Sequence, residues 1–252
     1  AAEQGHVEAQ YALGWVYRHG KGVGRDDKEA VKWYRKAAEQ EYANAQYSLG
    51  AMYWYGEGVG INMAQAYLWM SLAAEQEHET AREWKGKAAA KLTPEQIKKV
   101  EVNQLEFKSE RGSAKAQFLL GGRCYYGDGI EKDEKEAVKW YRKAALQGYA
   151  KAQTNLGLMY AKGEGVLEDF KEAVKWYRKA AEQGFATAQY NLGYSYDYGT
   201  GAQKDDKEAV KWYRQAAEQG LAIAQTALGQ KYQFGQGVAK DFKEAVKWYR
   251  KA

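Results

Sequence analysis

Small and apolar residues recur along the chain in one fixed arrangement, first seen as Ala9, Leu13, Gly14 and Tyr17. The spacing i, i+4, i+5, i+8 gathers them on one side of a helix of 3.6 residues per turn, so it predicts an amphipathic helix (helix A) whose buried stripe is unusually small. Alanine and glycine on such a stripe let a second helix approach closely, while leucine and tyrosine fill the space beside them. The same register returns with Ala45, Ala116, Ala152, Ala188 and Ala224, each followed by Gln as Ala9 is. Four of the five intervals are 36 residues and the fifth is 71, a doubled period with a departure inside it. Cys124 alone replaces the tyrosine of the stripe.

A pair of glycines closes each helix A, from Gly20 and Gly22 to Gly235 and Gly237, where a positive φ ends a helix. Four residues after each second glycine stands Asp26, Asn62, Asp133, Asp169, Asp205 or Asp241, the residue types that cap a helix N-terminus. A second helix (helix B) is therefore expected, reading Lys-Glu-Ala-Val-Lys-Trp-Tyr-Arg in five units and burying positions such as Ala30, Trp33, Tyr34 and Ala37. One helix pair cannot bury both stripes, so neighbouring pairs must stack. The predicted fold is all-α: an α/α superhelix, or solenoid, of antiparallel helix pairs in about six repeats of 36 residues.

The second unit departs from the pattern, with Tyr67, Leu68, Trp69 and Met70 in place of its charged residues. Residues 80–91 and 97–107 read as two further helices, the second opened by Thr93 as cap, Pro94 at the first position and Gln96 at the third. The chain thus divides into 1–76, the end of a partial repeat and two units; 77–115, a helical insert; and 116–252, four units with the last truncated. Because it opens on Ala1-Ala2-Glu3-Gln4-Gly5 and stops at Ala252 within helix B, it is expected to be a section of a longer array.

The order Ala-Gln, Leu-Gly, Tyr, Gly-x-Gly, Asp, Lys-Glu-Ala, Trp-Tyr, Ala-Ala-Glu-Gln-Gly resembles the SEL-one-like repeat (SLR) family, relatives of tetratricopeptide repeats. The resemblance implies stacked helical hairpins, with helix A lining a concave side, and adaptor roles in assembling protein complexes. Members in bacteria are often exported or host-facing, so a periplasmic or secreted location is favoured.

Charge and composition narrow the function further. A net charge of +5 spread over the length offers no clustered basic footprint for nucleic acid, and no apolar run is long enough to span a bilayer. Three scattered histidines suggest neither a triad nor a metal site, and Cys124 reads as a small buried filler. The Gly-x-Gly loops follow helices where a dinucleotide fingerprint needs a strand. No cofactor, metal or catalytic residue is expected, and the partner expected is a protein or peptide.

The residues that vary between units mark the candidate site. Tyr11, Trp15 and His19 fall on the side of helix A away from the stripe, and their equivalents are strongly aromatic. The candidate ligand-binding residues on the concave face are Tyr11, Trp15, Tyr47, Tyr55, Phe118, Tyr126, Leu158, Tyr190, Tyr194, Tyr198 and Phe234, with Asn155 and Asn191 placed to hydrogen-bond a peptide backbone. An aromatic ribbon also stacks on sugar rings, so a glycan or peptidoglycan fragment is the alternative ligand.

Overall fold

The computed structural model describes all residues 1–252, in fourteen helices and no strand. In the first compact unit, residues 1–104, helices α1 (Val7–His19) and α2 (Asp27–Glu39) form one repeat and α3 (Ala43–Tyr55) and α4 (Met63–Glu75) the next. Helix α5 (Glu79–Ala89) then packs on α4, and α6 (Pro94–Glu110) follows. The predicted capping box opens α6: Gln96 N–H donates to Thr93 Oγ1 at 3.2 Å and Thr93 N–H to Gln96 Oε1 at 2.9 Å. The second unit, residues 105–252, holds four repeats: α7 (Ala114–Tyr126) with α8 (Glu134–Leu146), α9 (Ala150–Lys162) with α10 (Phe170–Glu182), α11 (Ala186–Tyr198) with α12 (Asp206–Glu218), and α13 (Ala222–Phe234) with α14 (Phe242–Lys251). Within each unit, helix A packs on the helix B of its own repeat, and that helix B on the next helix A.

The glycine of the stripe is what lets the pair close. A β-carbon on Gly157 would lie 2.6 Å from Cε1 of Tyr177 and 3.2 Å from the carbonyl oxygen of Ala173, so the tyrosine of helix B lies flat against bare helix A backbone. The second glycine of four loops, Gly58, Gly165, Gly201 and Gly237, has a separate duty. At φ +68°, Gly165 presses on the first turn of α8 in the preceding repeat, where a β-carbon would meet the Glu134 carbonyl oxygen at 2.3 Å. Glycine therefore makes both the fold within a repeat and the contact between repeats.

The glutamine of each Ala-Gln pair, which sequence inspection used only as a marker, is a buried connector. Gln153 Nε2 donates to the Ala145 carbonyl at the end of α8, 3.1 Å away, and Gln153 Oε1 accepts from Gln183 Nε2 at the end of α10, 2.7 Å away. One amide thus satisfies an orphan carbonyl of the preceding helix B and holds the end of its own. The arrangement recurs at Gln10, Gln46, Gln117 and Gln189. A second link joins repeats through the arginine of helix B and the stripe tyrosine of the next helix A: Arg35 to Tyr53, Arg142 to Tyr160, Arg178 to Tyr196 and Arg214 to Tyr232. At the corresponding place before Cys124 stands Glu106, so where no arginine is supplied no tyrosine is needed.

Candidate functional site

The aromatic residues on the variable side of helix A separate into two groups. Tyr11, Tyr47 and Phe118, at the first of the three variable positions, are half-buried in packing. Tyr11 touches the rings of Tyr34 and Tyr42, Tyr47 stacks on His78 at 4.8 Å, and Phe118 lies against Tyr141 and Tyr149. Tyr190 also rests on Tyr213 but meets Tyr194 on its other side. The second group is open to solvent: Trp15, Tyr55, Tyr126, Tyr194, Tyr198 and Phe234, with Tyr126 77% exposed and Tyr198 64%. Buried rings pack and exposed rings are free to bind, a division the helical wheel does not make.

Tyr126, Asn155 and Leu158 come together in one open hollow of about 120 Å³, between α7 and α9 of the second unit. Its wall is completed by Tyr125, Tyr141, Met159, Lys162 and Glu164, which sequence inspection did not single out. The Tyr125 hydroxyl donates to Glu164 Oε2 at 2.8 Å, and this bond, with burial, pushes its pKa up to about 12. At the back of the hollow burial also raises the Tyr141 hydroxyl, and the facing Asn155 amide partly offsets that rise. The result is a recess of mixed character, in which tyrosine, leucine and methionine give apolar surface and tyrosine hydroxyls, one amide and one ion pair, Lys162 with Glu164 at 3.6 Å, give polar surface. A recess of this composition takes an apolar side chain and offers hydrogen bonds to the backbone that carries it.

Asn191, one repeat after Asn155, is placed differently: its amide nitrogen is buried without a hydrogen-bond partner. Tyr198 and Phe234 line a second hollow between α11 and α13, whose wall is polar. There Lys231, 3% exposed, is held by Asp197 and, at 2.9 Å, by Asp206, while the Tyr213 hydroxyl donates to the other oxygen of Asp197 at 3.3 Å. Burial alone lowers the lysine's pKa, but the two carboxylates outweigh it and hold the ammonium charged. Trp15, Tyr55 and Tyr194 line neither hollow.

Helix B shows why its many lysines make no free cationic stripe. In five repeats the lysine of Glu-Ala-Val-Lys pairs with the glutamate three residues before it, as Lys175 with Glu172 at 2.7 Å. A second lysine lies over the tryptophan ring of the same helix in four of them, Lys143 at 4.0 Å from the centre of Trp140. Trp33 and Trp140 are half-buried under that contact, whereas Trp176, with Lys179 over it in the same way, is buried. Cys124 is buried, and desolvation with the nearby Glu136 and Asp133 pushes its thiol up to about 11, away from the thiolate that nucleophilic chemistry needs. No group of His, Cys, Asp and Glu side chains is assembled that could hold a metal ion, and no helix is long and apolar enough to cross a membrane.

Comparison with known proteins fits this architecture. Along 99% of its length the chain is similar to a protective antigen of uropathogenic Escherichia coli strains displaying an SLR fold, at 36% identity and a TM-score of 0.64. It spans about half, 54%, of that antigen's length. A Sel1 repeat protein from Oxalobacter formigenes is 34% identical over 99% of this chain and 72% of its own, with a TM-score of 0.60. Among curated proteins the sequence has no match. The family model of the Sel1 repeat matches residues 7–42, 43–78, 114–149, 150–185, 186–221 and 222–252, six repeats in the register of the helix pairs described above, and the chain belongs to the Sel1 repeat family.

Proposed function

We propose that the second unit binds an extended peptide of a partner protein across the exposed side of its helices A, anchoring one apolar side chain in the hollow between α7 and α9. Sel1 repeats mediate protein–protein interaction and are a non-catalytic scaffold fold, which supports a binding role in general terms. The observation that carries the narrower reading is the hollow itself: Tyr126, Leu158 and Met159 present apolar surface beside the Asn155 amide, a combination that recognises a side chain and its backbone together. In this reading the remaining exposed rings of α11 and α13 extend the contact. The test is selection of peptides from a displayed random library on the intact chain, with the Leu158→Glu variant as counter-selection. Peptides enriched for one apolar anchor, and lost with Leu158→Glu, support the reading; a library that yields no binder sensitive to Leu158 contradicts it.

A second reading rests on the exposed ring pairs. Trp15 stacks on His19 at 4.3 Å and Tyr194 lies 4.4 Å from Tyr198, flat surfaces of the kind sugar rings lie on. Quenching or enhancement of tryptophan fluorescence by purified cell-wall fragments, with no response to peptides, would favour it.

A further inference from the structure

Helix α14 carries the residues that other helices B use to hold the next repeat, but no helix covers them. Val246 is 46% exposed and Tyr249 38%, where Val174, Val210, Tyr177 and Tyr213 at the same places are at most 7% exposed. In the interior, Val174 shares a core cluster with Ala188 and Leu192 of the next helix A, and Val210 with Ala224 and Leu228. Helix α1 is the reverse case. Its Ala9 and Leu13, at the places of Ala188 and Leu192, are only half-buried, with no whole helix B packed against them.

The polar groups follow the same pattern. Gln10, Gln46, Gln117, Gln153 and Gln189 each accept through Oε1 from the glutamine thirty residues on. Gln225, 5% exposed, has no such donor, and its Oε1 is buried without a hydrogen bond. A buried acceptor left unpaired is costly, so this atom marks where an N–H is missing. Ala1 and Ala252 hold the same place in the 36-residue register, that of Ala216. A second copy set with its Ala1 at the place of Ala252 therefore brings Gln4, exposed in the single chain, thirty residues on from Gln225. It brings Tyr17 eighteen residues on from Arg250, the spacing of the arginine–tyrosine bonds between repeats. It also brings Gly22 thirty-one residues on from Phe242, the spacing at which Gly201 presses on the Phe170 carbonyl. The four arginine–tyrosine bonds within the chain leave Arg250 and Tyr17 without one, and Gly22 has open space beside it. Residues 1–5 are already folded as the end of a helix B, the Ala2 carbonyl accepting from Gln10 as the Ala181 carbonyl does from Gln189. Ala252 lies beyond the end of α14 and can turn aside for the incoming residue.

We infer that the chain associates head to tail, the α1 end of a second copy covering α14 through the contacts that join one repeat to the next. Each copy added presents the same two faces again, so association continues past two unless a ring closes. The inference is independent of the peptide reading, whose hollow lies between α7 and α9. The test is sedimentation velocity of the 252-residue chain over a range of concentrations, with one variant to block each face. Val246→Glu sets a charge in the apolar face of α14 at a position exposed in the single chain. Gly22→Asn sets a side chain where the Phe242 carbonyl of another copy would lie, while asparagine tolerates positive φ and meets open space within its own chain. The expected result is a mass that rises with concentration in the parent and association weakened about tenfold or more in either variant. An equimolar mixture of the two variants should form a dimer that grows no further, since one keeps its head and the other its tail. Circular dichroism of the dilute variants should show the helical content of the parent, and Arg250→Ala, also at an exposed position, replaces Val246→Glu if that variant loses helix. A parent that stays a single chain at every concentration overturns the inference and leaves the two faces to other partners. Variants that associate like the parent, or a mixture that forms no dimer, overturn it as well.

Discussion

Gln183 donates its side-chain amide to Gln153 at 2.7 Å, thirty residues back along the chain, while Gln153 passes its own N–H to the Ala145 carbonyl. Three helices from two repeats meet on one buried side chain. Replacing Gln153 with alanine leaves a buried carbonyl unpaired and opens a gap, and should cost about 1–3 kcal/mol in chemical denaturation. Gln183→Ala, at an exposed position where water can replace the lost partner, should cost less than about 1 kcal/mol. Equal losses from the two would show that Gln153 is no more than filler.

Gly157 is predicted to be irreplaceable for a steric reason. Valine there must displace the Tyr177 ring, which its β-carbon alone would approach to 2.6 Å, and the expected cost is roughly 1–3 kcal/mol from overpacking. Because the clash is with one ring, pairing Gly157→Ala with Tyr177→Leu should cost less than the sum of the single variants. A strictly additive double-mutant cycle would place the strain elsewhere.

The buried Lys231 makes a prediction with a sign in pH. One repeat earlier the places of Lys231 and Asp197 are held by Ser195 and Ala161, and two repeats before Lys231 stands Met159, so neither charge is required by the repeat itself. Lys231→Met should therefore cost about 3–5 kcal/mol, because it strands the Asp197 carboxylate, and adding Asp197→Ala should recover most of that loss. Lys231 and the Tyr34, Tyr141, Tyr177 and Tyr213 hydroxyls all have pKa values raised above their unfolded values, by carboxylates that outweigh desolvation for the lysine and mainly by burial for the tyrosines. The stability these groups contribute is complete below their unfolded values, near pH 10, and is lost as pH rises toward the folded ones. The buried Cys124 thiol, raised to about 11, adds the same sign from its unfolded value near 9, so stability should hold level from neutral pH to about 9 and fall more steeply above 10, each group adding a slope of up to ~1.4 kcal/mol per pH unit.

Much of the fold was legible because the repeat writes each packing rule several times. Ala, Leu, Gly and Tyr at helical spacing located helix A, the Asp or Asn caps located the start of helix B, and Thr93 with Gln96 located α6. The duty of the paired glycines was only half visible. Chain termination needs positive φ and can be read locally, but the contact of Gly165 with Glu134 joins residues far apart in sequence. The same holds for Gln153 and for Arg178 with Tyr196, whose partners are set by stacking and not by neighbours in the chain. At the candidate site, periodicity identified the side of the helix but not the accessibility. Tyr47 and Tyr55 share a side, yet one is half-buried on His78 and the other exposed, because only the first reaches the start of the next helix. The hollow that gathers Tyr126, Asn155 and Leu158 is closed by Glu164 from a loop, which no helical wheel includes.

The most direct test of peptide binding at the α7–α9 hollow is calorimetry of a selected peptide against Asn155→Ala, with unfolding of the same variant followed in parallel. Asn155 is half-buried and its removal leaves only the Tyr141 hydroxyl to be rehydrated, so the melting temperature should scarcely change. Binding should weaken by roughly 1–3 kcal/mol, the cost of leaving one backbone group of the desolvated peptide unpaired. Undiminished affinity in Asn155→Ala, or early unfolding with affinity restored at low temperature, would contradict the assignment of this hollow as the peptide site.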